Sequence, residues 1–276
     1  MKLGNVVRVM VVALFVVPTV SVLAQNSAPP PQKPYARVLK EVLKPGSWNE
    51  YEQIQVARAK VLKDADWPRV SVALVPIAGP DMVLHYSFFD SFADMAKDAA
   101  ELDKRPELKA KLEALDLQEN AILQSRQVYI IFYHPDISYQ GDFSWPDVRF
   151  SSIIFIHLHP GHGDEYLKNR KIVLAAHSAA HLGENLALFT TFAGGPSSSF
   201  WITRPVKSLP EFDEMSAMHG DAYGKILGDD NRKLVHEYFA MSVETEEEDY
   251  FRTVPSLSYV TSAWAGNSAD YWLGGK

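Results

Sequence analysis

Five histidines between residues 157 and 181 are the residues whose types and spacing best suit chemistry. The stretch HLHPGHGDEY begins at His157, so His159 follows two residues later and His162 three residues after that. His177 and His181 stand four residues apart, the spacing at which two helical side chains share a face. Neutral imidazole nitrogens are common metal ligands. One hypothesis is therefore a divalent-metal or haem site formed by these five histidines.

An upstream stretch matches the histidine stretch without containing a histidine. VLKPGSWNEY, which begins at Val42, shares Leu, Pro, Gly, Glu and Tyr with HLHPGHGDEY at five of ten ungapped positions. Valine, lysine and serine stand where the later stretch has its three histidines. Ser178 also occupies the position that glutamate holds in the zinc-protease motif. Solvated turn histidines are therefore the competing interpretation.

The similarity between the two parts of the chain continues and predicts the same elements twice. Three more segment pairs follow in the same order: IAGPD with AGGPS, FDSFADM with VKSLPEF, and HPDISY with VPSLSY. Each copy is typical of a strand, a Pro-Gly turn, an amphipathic helix, a two-stranded hairpin, a second helical region and a last strand. This order is the split βαβ pattern. We predict an α+β protein with two tandem ferredoxin-like (βαββαβ) repeats whose sheets pair into an intramolecular α/β barrel.

The order of elements, with KPGSWNEY at the start of the first helix, resembles the dimeric α/β-barrel superfamily. It is most similar to the NIPSNAP-like and antibiotic-biosynthesis-monooxygenase-like members, over residues 35–259. The shared motif is a structural turn, and no position matches a catalytic motif of those families. The resemblance implies a small-molecule pocket between paired domains. It also implies cofactor-free oxygenase activity, as in some members, or haem binding, as in others.

Strand alternation selects candidate pocket residues, because successive side chains of a strand point to opposite faces. On the strand predicted to start at residue 150, Ile154 and Ile156 suit a helix-covered face, which leaves Phe155 and His157 toward the barrel interior. The same logic points His85 inward. A satisfied core histidine is the alternative for both positions. We take His157 and His85 as candidate catalytic acid/base residues, and Phe155, Trp201 and Arg204 as candidate substrate-binding residues.

Two further patterns bear on the pocket and on the elements around it. Five tryptophans are candidates to line an apolar pocket, namely Trp48, Trp145, Trp201, Trp264 and Trp272. The acidic run ETEEED, residues 244–249, is typical of a solvated helix end.

The first residues predict export. Lys2 and Arg8 precede an apolar run over residues 9–17, and a small-residue stretch ends at Ala24. This run is too short to span a bilayer. We therefore predict a signal peptide over residues 1–24 and a periplasmic or extracellular product with no stable membrane anchor. A proline-rich spacer (25–34), the repeats (35–146 and 147–264) and a C-terminal tail (265–276) complete the predicted organisation.

Composition excludes several classes of function. The net charge of −7 disfavours nucleic acid as a partner, and the absence of cysteine excludes disulfides and thiolate metal sites. The leading hypothesis is a cofactor-free barrel that binds a small apolar or aromatic molecule, with monooxygenase-like or isomerase-like activity if it is an enzyme. Haem or metal binding through the histidines and a non-catalytic interaction module are the alternatives. Assembly into an oligomer is left open.

Overall fold

The computed structural model describes residues 32–218 and 224–274. The first half contains β1 (Tyr35–Leu43), α1 (Trp48–Asp64), β2 (Val72–Pro76), β3 (Met82–Phe89), α2 (Phe92–Asp103), α3 (Pro106–Ile122) and β4 (Leu123–Tyr133). The second half contains β5 (Phe150–Leu158), α4 (Gly163–Ala180), β6 (Ala187–Ala193), β7 (Ser199–Val206), α5 (Pro210–Met218), α6 (Gly224–Ser242) and β8 (Val243–Thr253), followed by α7 (Ser262–Ala265) and α8 (Ala269–Leu273). The predicted signal peptide, and the predicted spacer up to residue 31, lie outside the described residues.

The described strands close into one antiparallel barrel in the order β1-β3-β2-β8-β5-β7-β6-β4. The first half supplies β4-β1-β3-β2, and the second half supplies β8-β5-β7-β6 in the corresponding order. The halves join where Leu74 of β2 faces Thr253 of β8, and where Tyr133 of β4 faces Phe189 of β6. Closure leaves no unpaired strand edge. The predicted α+β class and the closed barrel are confirmed.

Three apolar layers hold the barrel and its helices together. Side chains from both halves fill the interior, among them Val38, Leu84, Ile131, Ile153 and Phe189. A second layer, between the first half of the sheet and α1, includes Tyr51, Ile54 and Val83. A third, between the second half and α4, includes Ile156, Tyr166 and Ile202. Alternate residues of each strand therefore serve different layers, and the interior is packed with side chains.

Local signals in the sequence place the turns and one helix start. Gly46 and Gly161, in the two Pro-Gly turns, have φ angles of 81° and 86°. This left-handed region is accessible to glycine without a steric penalty, so both Pro-Gly turns use it. Ser91 caps α2, because its side chain accepts a hydrogen bond from the Asp94 amide at 3.1 Å.

One predicted feature differs from the structure. The ETEEED run lies in β8 and is not a helix end, so that interpretation is wrong. The predicted C-terminal tail contains α8, whose Trp272 is buried against the barrel end. Across residues 32–218 and 224–274, no helix has both the length and the apolar character needed to cross a membrane.

Candidate functional site

A cleft lined by aromatic rings lies at the end of the barrel where β3 ends. Phe88, Phe143, Trp145 and Trp264 line this aromatic cleft, which has a volume of about 520 Å³. Phe88 comes from β3, Phe143 and Trp145 from the connection between the two halves, and Trp264 from α7. Thr261 fixes the start of α7 by accepting a hydrogen bond from the Trp264 amide at 3.2 Å. A cleft of this size and character is typical of small-molecule sites.

Hydrogen bonds between distant parts of the chain hold the walls of the aromatic cleft. Trp145 Nε1 donates to the Gln32 side chain at 2.8 Å, and Gln32 Nε2 donates to the Phe143 carbonyl at 2.6 Å. Trp272 Nε1 donates to the Pro146 carbonyl at 2.7 Å. The cleft is therefore assembled from the N-terminal segment, the connection between the halves and the C-terminal helices.

Each charged side chain that lines the aromatic cleft has an ion-pair or hydrogen-bond partner. Arg69 bonds to Asp94 and Asp98, Lys33 to Asp90, and Asp147 accepts a hydrogen bond from Ser268. The Arg69 to Asp98 distance is 2.8 Å, and this hydrogen bond raises the pKa of the arginine further. Both cationic side chains are thus compensated and the Asp147 carboxylate remains at the cleft, so an anionic occupant is disfavoured.

Phe155 and Trp201 lie together at the opposite end of the barrel. Their rings are 4.6 Å apart, and Tyr129 lies 5.0 Å from Trp201. The Lys40 ammonium stands 5.9 Å from the Phe155 ring centroid, within cation-π range. Phe155 therefore faces the interior as expected, Trp201 joins it there, and neither ring lines the aromatic cleft.

His157 stands at the rim of this opposite end. It follows Phe155 on the same face of β5 and is half-buried. Its Nδ1 lies 3.1 Å from Ser199 Oγ, and its Nε2 lies 3.4 Å from a Glu244 carboxylate oxygen. The pairing of His157 with Glu244 is compatible with acid/base chemistry. The side chain of His157 is 31% exposed, however, and that of Glu244 is 46% exposed. Water therefore competes with it.

The prediction that His85 faces the barrel interior is wrong. Every residue of β3 is buried, and its two faces serve different layers. Leu84 and Tyr86 belong to the interior, whereas Val83 belongs to the layer under α1. His85 shares the face of Val83 and meets Tyr51 of α1 at 2.7 Å. It therefore lies outside the barrel, between sheet and helix.

His85 belongs to a buried polar cluster that the sequence did not indicate. Tyr51 donates to Glu41 at 2.6 Å, and Arg126 bonds to both Glu41 and Glu119. Burial lowers the pKa of His85 to about 4, although Glu41 acts in the opposite direction. Burial raises the pKa of Glu119 to about 7, opposed by its arginine neighbours. The cluster is satisfied internally, which is typical of a structural network.

Arg204 lies on the outer face of β7, away from Trp201. Trp201 pairs with Phe155 across the strands, whereas Arg204 pairs with Ser152, so the two side chains point to opposite faces. Its Nη1 is 3.5 Å from Glu248. Arg204 therefore does not join the interior aromatics in one site.

The structure does not gather the five candidate histidines into one metal site. His162 precedes the first residue of α4 and His177 lies in its last turn, about 22 Å apart by helical rise. His177 is buried and pairs with Glu184 at 2.8 Å, whereas His181 caps the helix at the surface. Within the described residues, no three His, Asp or Glu side chains are placed to hold a metal.

Haem, which the superfamily resemblance implies, does not fit the aromatic cleft. A haem iron takes a histidine, cysteine, methionine or tyrosine as its protein ligand. None of these is among the residues that line the cleft. A second groove, beside β8, is lined by Ile77, Phe212 and Tyr250, and Tyr250 is of a residue type that can ligate haem iron. The donor set of the cleft suits an organic molecule.

Only part of the aromatic cleft was indicated by the sequence. Trp145 and Trp264, two of the five tryptophans singled out there, do line it. Trp272 packs behind it, 5.3 Å from Trp264. Phe88, Phe143 and Arg69 gave no signal, since nothing local to each distinguishes a lining residue from a core residue.

Comparison with known proteins finds similarity in fold. No protein-family model matches the sequence, and no curated protein matches it. A Fusobacterium nucleatum protein provisionally assigned as a monooxygenase matches 80% of this chain and 93% of its own, with 10% identity and a TM-score of 0.54. An anthrone oxidase-like protein matches 81% and 92%, with 13% identity and a TM-score of 0.51. A chlorite dismutase variant from Candidatus Nitrospira defluvii matches 81% and 91%, with 12% identity and a TM-score of 0.47. The first two of these matches show that the chain shares its barrel fold with solved structures.

Proposed function

We propose that this protein binds a small, uncharged, apolar or aromatic molecule in the aromatic cleft. The observation that carries the proposal is the cleft of about 520 Å³ with four aromatic rings, in which both cationic side chains, Lys33 and Arg69, are held in ion pairs. Burial of apolar ligand surface against such rings supplies binding free energy, at roughly 25 cal/mol per Å² before the losses of association. The walls are already fixed by hydrogen bonds, so little ordering remains for the ligand to impose.

Binding without a resident cofactor is the form of the function that the cleft supports best. Among the described residues no histidine lines the cleft, and Asp147 accepts a hydrogen bond from Ser268 at 2.7 Å. Monooxygenase-like or isomerase-like turnover would need the bound molecule itself to supply the reactive group. His157 and His85 serve other parts of the molecule.

Occlusion of the aromatic cleft tests the proposal. Ala263 lines the cleft and is exposed, so Ala263→Trp fills the space without removing core packing. Ser262 precedes it on α7 but does not line the cleft, so Ser262→Trp is the matched control. We expect naphthalene to raise the melting temperature of the wild type and of Ser262→Trp, but not of Ala263→Trp. Equal shifts in all three proteins would place the binding site elsewhere.

We further propose that the two halves are copies of one ferredoxin-like unit, similar to NIPSNAP-like domains. The corresponding strand orders and the glycine turn at equivalent positions support this. One half alone would leave the interior face of its sheet bare. Co-expressed fragments 32–146 and 147–274 should therefore associate into a 1:1 complex, as measured by sedimentation. Two fragments that fold separately and do not associate would contradict the proposal.

Export remains a proposal that depends on residues 1–24. The basic start, the apolar run and the small-residue stretch ending at Ala24 support it. Intact-mass analysis of the protein from a bacterial host should show a chain that begins at Gln25 in the periplasmic or extracellular fraction. A full-length chain in the cytoplasmic fraction would contradict it.

A further inference from the structure

The groove beside β8, which we call the β8 groove, is lined by apolar side chains that the fold leaves exposed. Ile77, Leu209 and Tyr250 are 45%, 46% and 42% exposed, and all three line this groove. Ile77 directly follows β2, Leu209 directly precedes α5, and Tyr250 lies in β8. The volume of the groove is about 610 Å³, which is in the range of small-molecule sites. Large apolar side chains that converge on one concave surface are typical of a binding site.

Two aromatic rings form part of the wall of the β8 groove. Phe212 of α5 and Tyr250 of β8 meet edge to face, with ring centroids 5.0 Å apart. An aromatic ring attracts a cation over its face and also offers apolar surface. The pair can therefore contact either a hydrocarbon body or a positively charged group.

The charges at the β8 groove are negative. Asp213, Glu248 and Asp249 line it, and among the described residues no cationic side chain does. Glu248 lies 3.5 Å from Arg204. Asp213 and Asp249 have no hydrogen-bond or ion-pair partner elsewhere in the described chain. Burial, followed by the negative charge of Glu248, raises the pKa of Tyr250. The β8 groove therefore combines apolar walls with uncompensated carboxylates, whereas both cationic side chains of the aromatic cleft are already paired.

We propose that the β8 groove is a second ligand site, which binds a small organic ammonium ion with an apolar or aromatic body. The body of the ligand would pack on Ile77, Leu209 and Phe212. Its ammonium group would pair with the carboxylates of Asp213 and Asp249. An uncharged ligand would leave these carboxylates uncompensated, and an anion would be repelled by them. The site is separate from the aromatic cleft, so this inference does not rest on the proposed function.

Tryptamine and tryptophol test the inference, because tryptophol has a hydroxyl in place of the ammonium group. We expect tryptamine to bind the wild type in titration calorimetry, with an affinity that falls as salt is added. Asp213→Asn/Asp249→Asn should lose about tenfold in affinity for tryptamine but keep its affinity for tryptophol. The matched control is Glu214→Gln/Glu247→Gln, since these exposed carboxylates lie on the same two elements without lining the groove. The control should lose less than about twofold.

Two tryptophan variants locate the bound probe. Ala78 is exposed and lines the β8 groove, so Ala78→Trp fills the groove and should abolish tryptamine binding. Ala263→Trp fills the aromatic cleft and should bind tryptamine as the wild type does. Equal losses in the two carboxylate double variants would overturn the inference, as would loss of binding in Ala263→Trp with retention in Ala78→Trp. Failure of the wild type to bind tryptamine at low salt would also overturn it. None of these outcomes decides whether an uncharged molecule binds the aromatic cleft, which the naphthalene experiment tests.

Discussion

The layers under α1 and under α4 occupy corresponding positions in the two halves, yet the strand residues that face the tyrosine are polar under α1 and apolar under α4. Under α1, Glu41 and His85 face Tyr51. The strand registers put Ile156 and Ile202 at the corresponding positions under α4. Tyrosine is kept in both layers, but the Tyr166 hydroxyl has no partner among the described residues. The tyrosine ring is thus part of the shared scaffold, whereas its hydrogen bonds are specific to the first half.

Substitution of Glu41 should cause the largest loss of stability among the residues that distinguish the two layers. Its carboxylate is fully buried and accepts hydrogen bonds from Tyr51 at 2.6 Å and from Arg126 at 2.8 Å. Glu41→Ala leaves a buried tyrosine hydroxyl and a guanidinium with fewer partners. We expect the free energy of unfolding in urea to fall by about 3 to 5 kcal/mol. Glu244→Gln, at a half-exposed carboxylate, should change it by less than about 1 kcal/mol. Similar small losses for both would show that the polar cluster contributes little.

The second effect is a pH dependence that arises from His85. Its pKa is about 4 in the folded protein and 6.5 in its usual range. Between these values the unfolded chain binds a proton that the folded protein does not, so this contribution to stability falls as the pH drops from 6.5 to 4. Over this pH range the contribution of His85 to the free energy of unfolding changes by about 3 kcal/mol. We therefore expect the free energy of unfolding of the wild type to rise by about this amount relative to that of His85→Gln between pH 4 and pH 6.5. His157→Gln, at the exposed rim, is the control, and an equal slope for it would contradict the assignment.

Glu119 should give the opposite slope within the same cluster. Burial raises its pKa from 4.5 to about 7, so the folded protein keeps a proton that the unfolded chain has lost. Its contribution to stability is present below pH 4.5 and disappears as the pH rises through 7. Between pH 4.5 and pH 7, the free energy of unfolding of the wild type should therefore fall by up to about 3 kcal/mol relative to that of Glu119→Gln. A difference that rises over this range would show that Arg58 and Arg126 hold the carboxylate ionised.

The fold was predictable because its signals are local. Alternation along β5 correctly separated Phe155 from Ile154 and Ile156, since each face has a distinct neighbour layer. Alternation failed at His85 because β3 is buried on both faces, so polarity no longer marks a side. The acidic run over residues 244–249 was also misinterpreted. This part of β8 is largely exposed and carries charges on both faces, so its sequence looks like that of a solvated helix end.

The candidate site was only partly predictable because its walls come from distant parts of the chain. Gln32 bonds to Trp145, 113 residues away, and Trp272 bonds to Pro146, 126 residues away. The pattern of apolar residues within a short stretch of sequence cannot reveal contacts between residues so far apart. Tryptophan type alone pointed to Trp145 and Trp264, whereas the neighbouring Phe88 is indistinguishable in sequence from a core residue.

The smallest change in stability should distinguish Tyr51 from Tyr166, the tyrosines that follow the two Pro-Gly turns. Tyr51→Phe removes hydrogen bonds to Glu41 and His85, so we expect a loss of about 1 to 3 kcal/mol in the free energy of unfolding. Tyr166→Phe removes a hydroxyl without a partner and keeps the ring, which packs 4.6 Å from Phe200. Its stability should match or slightly exceed that of the wild type, within about 0.5 kcal/mol. Equal losses in the two variants would mean that the Tyr166 hydroxyl is bonded after all, and the contrast between a shared ring and a half-specific network would then disappear.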